Sequence, residues 1–370
     1  MQNNIEIRPF VPKPETPGAL YRREVKSQLM KVVLVVVAYL FIQLIITGVI
    51  EAVIMFSSGA MNNMVQGAMG AASGGQIDMG NLVESSTASA LEVISKYTGL
   101  ISIISAVASL PIFLILRGRR MFTTDIAESH APLSGLSFVK LWVIAMGAQL
   151  VFDVCAQLLN SLLGSSGRSA TELLDQSMQI LQTPTGLLYI CIVGPIVEEL
   201  IFRGAVMRSL ERFGLNFSIF ISSLIFGLFH IFTVQAVFAF FMGLILGYIA
   251  SRYSIKWSIL AHILINSAAT GMSVLGSLGG EGGFAVYAAY LIQLAFFVCG
   301  VILLIVERWR FAEQRKVGAP LRIPGSPENT GAALWRAAFT SVPLLIFIVV
   351  TFGAGIGMIA APTFSIPGFS

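Results

Sequence analysis

Charge is what this sequence has least of. Only 11% of its 370 residues are Asp, Glu, Lys or Arg, less than half the roughly 25% of soluble domains. Apolar residues make up 56% of the chain and the mean hydropathy is +0.83. One soluble core cannot hide that much apolar side chain, so part of the surface faces lipid. This excludes a soluble enzyme, a disordered chain and a nucleic-acid-binding module. The net charge of +4 calls for a topological explanation, because basic residues orient membrane helices. Cysteine is scarce too. Cys155, Cys191 and Cys299 are an odd, scattered set in apolar stretches, which excludes a disulfide framework and a CxxC metal site. They read as small buried hydrophobes. Histidine occurs three times, as His130, His230 and His262.

What the chain has instead is long apolar runs. The first, Val32–Phe56, is 25 residues long, beyond the roughly 7–15 of a signal-peptide core, and no A-x-A site follows it. Eight more follow: Leu91–Leu116, Phe138–Leu163, Pro184–Val206, Phe217–Phe232, Val234–Ala250, Ser258–Leu275, Ala285–Val306 and Ala337–Ala361. The expected fold is an all-α, polytopic membrane bundle of nine helices. With the N-terminus in the cytoplasm, 21 of the 23 basic residues fall on the cytoplasmic side, leaving only Lys96 and Arg168 outside. Pro111 and Pro195 should kink their helices. Four parts are expected: a cytoplasmic tail 1–31, two helices with a long outer loop over 32–137, a core over 138–275, and two C-terminal helices over 276–370. The outer loop 57–90 reads as a Gly/Met/Ser-rich linker, 168–182 as a short amphipathic surface helix, and 318–334 as a Pro/Gly linker.

Ionisable groups within membrane spans are costly, so those present mark function or a specific pairing. The fourth span reads Gly194-Pro195-Ile196-Val197-Glu198-Glu199-Leu200-Ile201-Phe202-Arg203. Glu199 and Arg203 are i,i+4 with the acid first, the favourable order for a pair on one helix face. Glu198 points about 100° away, lacks that partner and is free for chemistry. His262 and Asn266, again i,i+4, share a face of the seventh span, and Phe226 and His230 repeat the spacing in the fifth. A lone membrane histidine is usually an interhelical hydrogen-bonding group, but two of them with Asn266 and a Glu-Glu pair shift that balance. His130 lies in a polar loop and reads as solvated.

In their order and spacing, Glu198-Glu199-x-x-x-Arg203, Phe226-x-x-x-His230 and His262-x-x-x-Asn266 resemble the CPBP intramembrane proteases. That family includes the type II CaaX prenyl endopeptidases and bacterial relatives linked to bacteriocin processing or immunity. The resemblance covers roughly residues 138–275. It implies an endopeptidase working in the cytoplasmic half of a cell membrane, and the chain is closer to bacterial than to eukaryotic members. Glu198 would activate the attacking water, Glu199 and Arg203 would hold it in place, His230 would orient the water or bind a metal, and His262 and Asn266 would stabilise the oxyanion. Two versions stay open: Glu198, His230 and His262 as a His₂Glu set for Zn²⁺, or the same residues working without metal. The implied partners are membrane lipid and a peptide or membrane-protein substrate.

Other protease signatures fail. There is no His-Glu-x-x-His, and Gly164-Ser165-Ser166-Gly167, a rhomboid-like Gly-x-Ser-Gly, falls in an expected outer loop. Two other function classes compete. A transporter would use the polar residues Gln149, Asp153 and Gln157 of the third span, and a silent membrane scaffold or immunity protein would need none of the clustered residues.

Overall fold

The computed structural model describes residues 16–57, 65, 69, 79–164, 183–231, 233–277, 283–317 and 330–360. Among these every regular element is helical. The long ones are α1 (Pro17–Ser57), α2 (Met79–Ser109), α3 (Gly135–Gly164), α4 (Pro184–Phe213), α5 (Leu215–Phe229), α6 (Thr233–Arg252), α7 (Ile255–Ser277), α8 (Phe284–Val317), α9 (Thr330–Phe339) and α10 (Val342–Ala360). The nine expected spans coincide with them. Among the described residues seven are long and apolar enough to cross a bilayer, and the pair Gly331–Phe339 with Val342–Gly357, bent by 55°, brings the count to eight if it forms one span. At 15 residues, α5 rises about 22 Å at ~1.5 Å per residue, short of the ~30 Å hydrocarbon core. The protein is a multi-pass membrane protein.

Other expectations shift. The second span begins at Met79, inside the stretch read as outer loop. Most of the remainder of that loop, the amphipathic stretch 168–182, residues 165–167 of the Gly-x-Ser-Gly match and most of the linker 318–334 lie outside the described residues. Pro111 opens a 3₁₀ turn over Leu110–Phe113. Cys155 and Cys299 are exposed and Cys191 is half-buried, because these helix faces look outward to lipid, where a small apolar thiol is tolerated.

The core gathers around α4. Its Phe202 meets Phe226 and Phe229 of α5 edge-on, at centroid distances of 4.9 and 5.3 Å. α5 and α6 approach closely enough that a Cβ on Gly243 would lie 2.8 Å from the Cβ of Ser223. Small residues let membrane helices approach in this way. On the other side of α6, α3 and α8 close through Gly147, whose added Cβ would meet the Phe296 carbonyl oxygen at 2.8 Å. Asp153, the acid that suited a transporter, accepts a hydrogen bond across this seam from Gln293 of α8.

Candidate active site

The helix that carries Glu198 and Glu199 is irregular on both sides of them. Tyr189–Val193 and Leu200–Met207 are π-helical turns flanking a regular segment, Gly194–Glu199. Pro195 explains the first, since it has no N–H to give to the preceding turn. Such π turns are frequent at functional sites. Here they fix where the two carboxylates project.

Glu199 is fully buried and surrounded by donors. Arg203 Nη1 lies 2.8 Å from its Oε1, as the i,i+4 spacing predicts. His262 Nδ1 lies 3.0 Å from the same oxygen, and Ser258 Oγ donates to Oε2. Arg203 in turn donates from Nη2 to the Gly243 carbonyl at 3.2 Å. Its guanidinium carbon lies 4.6 Å from the centre of the Phe226 ring, a cation–π distance. Breaking a buried pair of this kind leaves an uncompensated charge, a cost of about 3–5 kcal/mol.

Glu198 faces the other way, as expected, and lines a cavity of about 210 Å³ with Tyr189, His230, Gln235, His262 and Asn266. Its Oε2 is 3.6 Å from His262 Nε2. One imidazole thus lies between two carboxylates. Glu199, ion-paired with Arg203, accepts from Nδ1, which assigns the Nδ1–H tautomer to the neutral ring and leaves Nε2 toward Glu198 and the cavity. His230 is fixed in the same sense. Its Nδ1 is 2.9 Å from the Phe226 carbonyl oxygen, which can only accept, so Nε2 is left as the free ring nitrogen. Asn266 donates from Nδ2 to the Ile190 carbonyl of the first π turn at 3.0 Å and keeps a second N–H.

The structure therefore brings four of the expected residues, Glu198, His230, His262 and Asn266, to one cavity. Glu199 and Arg203 lie behind it. His130 is apart from them: its exposed ring lies 3.3 Å from Arg208 Nη2, and its backbone N–H donates to the Tyr253 carbonyl. Ser258 was missed, although Ser258-x-x-x-His262-x-x-x-Asn266 is a polar stripe at i, i+4, i+8 in an apolar helix. Two imidazole nitrogens and a carboxylate suit zinc by donor type. Their placement does not: among the described residues no three His, Cys, Asp or Glu side chains are gathered closely enough to hold an ion.

Residues 180–268 match the family model described as Type II CAAX prenyl endopeptidase Rce1-like. Over this segment the chain is similar to that family. The match spans α4 to α7 up to Ala268, and so includes every residue of the two carboxylate–histidine contacts. Helices α1, α2, α3 and α8 to α10 lie outside the match. No curated protein and no solved structure matches the chain.

Proposed function

We propose that this protein is an intramembrane endopeptidase in which Glu198 removes a proton from a cavity water as that water attacks a peptide carbonyl. The observation that carries the reading is the placement of His262 between Glu199 at Nδ1 and Glu198 at Nε2, on the wall of a cavity with apolar sides. With Arg203 balancing Glu199, a proton shared between His262 and Glu198 leaves the four-residue set neutral, which a low-dielectric site favours. In the protonated ring, Nε2–H and the spare Asn266 N–H donate to the oxyanion that forms when the water oxygen bonds to the carbonyl carbon. Glu198 then passes the abstracted proton to the amide nitrogen as the C–N bond breaks. His230, with Nδ1 tied to Phe226, offers Nε2 as an acceptor that orients the water.

The family description makes prenylated C-terminal CaaX peptides the first substrate class to test. The basic-residue asymmetry supports a cytoplasmic N-terminus and cleavage in the cytoplasmic half of a cell membrane, with bacterial origin as the closest resemblance. The polar residues that suited a transporter give no comparable support, since Asp153 is already hydrogen-bonded to Gln293. The test is cleavage of a prenylated CaaX peptide, and of its unprenylated form, by purified protein in liposomes. Cleavage lost with Glu198→Gln supports the reading. Absence of cleavage by the unaltered protein alongside vectorial flux of solute overturns it.

A further inference from the structure

The cavity in front of Glu198 is too small for a helix. Its 210 Å³ corresponds to about seven waters at ~30 Å³ each, whereas an α-helix with side chains is about 10–12 Å across. A membrane-embedded substrate segment reaches the protein as a helix, because lipid cannot satisfy exposed backbone groups. To present a bond to Glu198 it must unwind, and the freed N–H and C=O then face a wall of Phe226, Phe238, Ala239, Met242, Leu246 and Ile265. Unpaired amide groups in such surroundings are costly. An unwound segment is therefore held only where the wall supplies both a donor and an acceptor.

Most polar side chains of the cavity are already engaged. Glu198 and His262 face each other, and His230 Nδ1 and Asn266 Nδ2 are tied to backbone carbonyls. Gln235 differs. It lies in the first turn of α6, lines the cavity, and its carboxamide makes no hydrogen bond with another described residue. The face of α6 that it heads continues through Phe238, Ala239, Met242 and Leu246, the i, i+3, i+4, i+7, i+11 stripe of one helix side. Gln235 is the polar member of that stripe, and a primary carboxamide is the side chain that can both donate to a C=O and accept from an N–H.

We propose that the Gln235 carboxamide pairs with a backbone peptide group of the unwound substrate next to the scissile bond, donating from Nε2 and accepting at Oε1. The identity of the ligand as a peptide rests on the peptidase reading above, whereas the test measures binding and not cleavage. Full-length Glu198→Gln protein in detergent is titrated with a fluorescein-labelled, Leu-rich hexapeptide. A series of analogues follows, each with one backbone N–H replaced by an ester oxygen, which removes the donor without adding bulk. One ester position should weaken binding about tenfold, the worth of one buried hydrogen bond. The near-isosteric Gln235→Met should weaken binding of the all-amide peptide at least as much, and should bind that ester analogue no more weakly than the all-amide form. Unchanged affinity for every ester, or losses from ester and Gln235→Met that multiply, overturns the pairing. If Gln235→Met does not fold, Gln235→Glu keeps the length and loses the donors. It should then weaken the all-amide peptide while still distinguishing the ester, and equal affinity to the Gln235 protein overturns the proposal. Failure of the unaltered protein to cleave, with ester-sensitive binding intact, counts against the peptidase reading alone.

Discussion

Ser258 and Glu199 are 59 residues apart in the chain and share a buried hydrogen bond. It ties α7 to α4 one turn before His262 reaches the same carboxylate. Ser258→Ala leaves one oxygen of a fully buried carboxylate without its donor, a loss of about 1–3 kcal/mol. The melting temperature in detergent should fall and the rate should drop while KM holds, because His262 loses a fixed partner. Ser258→Thr, which retains the hydroxyl, should recover most of both. An Ala variant indistinguishable from the parent in melting and rate would mean the contact does not hold Glu199.

Glu198 is in a different position. Its carboxylate faces the cavity, is 19% exposed, and among the described residues its ion-pair contact is the long 3.6 Å one to His262. Glu198→Gln preserves its shape and should leave the stability, read from melting in detergent, within about 0.5 kcal/mol of the parent. The rate should fall about 10²–10⁴-fold, as for a lost general base. Stopped assays on a fluorogenic peptide measure this, and turnover near that of the parent would remove Glu198 from the chemistry.

Arg203 is 1% exposed and joins three elements: Glu199 of its own helix, the Gly243 carbonyl of α6 and the Phe226 ring of α5. Arg203→Ala should destabilise the protein by about 3–5 kcal/mol, with loss of activity following loss of fold. Arg203→Lys restores the charge but not the fork that reaches both Glu199 and Gly243, so it should recover only part of the stability. Melting in detergent of the two variants decides this, and full recovery with Lys would show that charge alone matters.

His130 contacts Arg208, but Arg208 also reaches Glu128 at 3.3 Å and Glu211 at 3.2 Å. Removing the exposed imidazole leaves that arginine paired. His130→Ala should therefore keep activity within about twofold and stability within about 0.5 kcal/mol. A defect as large as that of His230→Ala would connect this loop to the cavity.

The sequence made the helices and the pairings within them legible, because both depend on local periodicity. Apolar runs mark where helices lie, and i,i+4 spacing put Glu199 on Arg203 and His262 on the face of Asn266 without knowledge of any neighbour. Contacts between helices were less legible. The grip of Glu199 on His262 and Ser258 depends on how α4 packs against α7, and while Pro195 marks a break before Glu198, no residue pattern announces the second π turn over Leu200–Met207. The length of α5 shows the same limit. Its apolar run continues past Phe229, but the helix ends at His230, where Ile231 adopts φ 58°, a left-handed conformation that is strained for a β-branched residue. That turn places His230 at the cavity, and hydropathy alone carries no sign of it.

The last expectation concerns metal. The ring tautomers leave Nε2 of both His230 and His262 toward the cavity beside Glu198, an acceptor-rich arrangement that either a shared proton or a divalent cation can balance. The side chains are not gathered into a three-ligand group among the described residues, and His262 Nε2 faces Glu198 at 3.6 Å. Asn266 adds a donor beside them, useful to an oxyanion and poor as a zinc ligand. Purified protein should thus hold well under one equivalent of zinc by elemental analysis, and it should keep its activity after dialysis against a strong chelator. Asn266→Ala should lower the rate about 10²–10³-fold, as for a missing oxyanion donor, with little change in KM. Activity that disappears with stripped zinc and returns at one equivalent would reverse the assignment, making Glu198, His230 and His262 ligands that close around the ion.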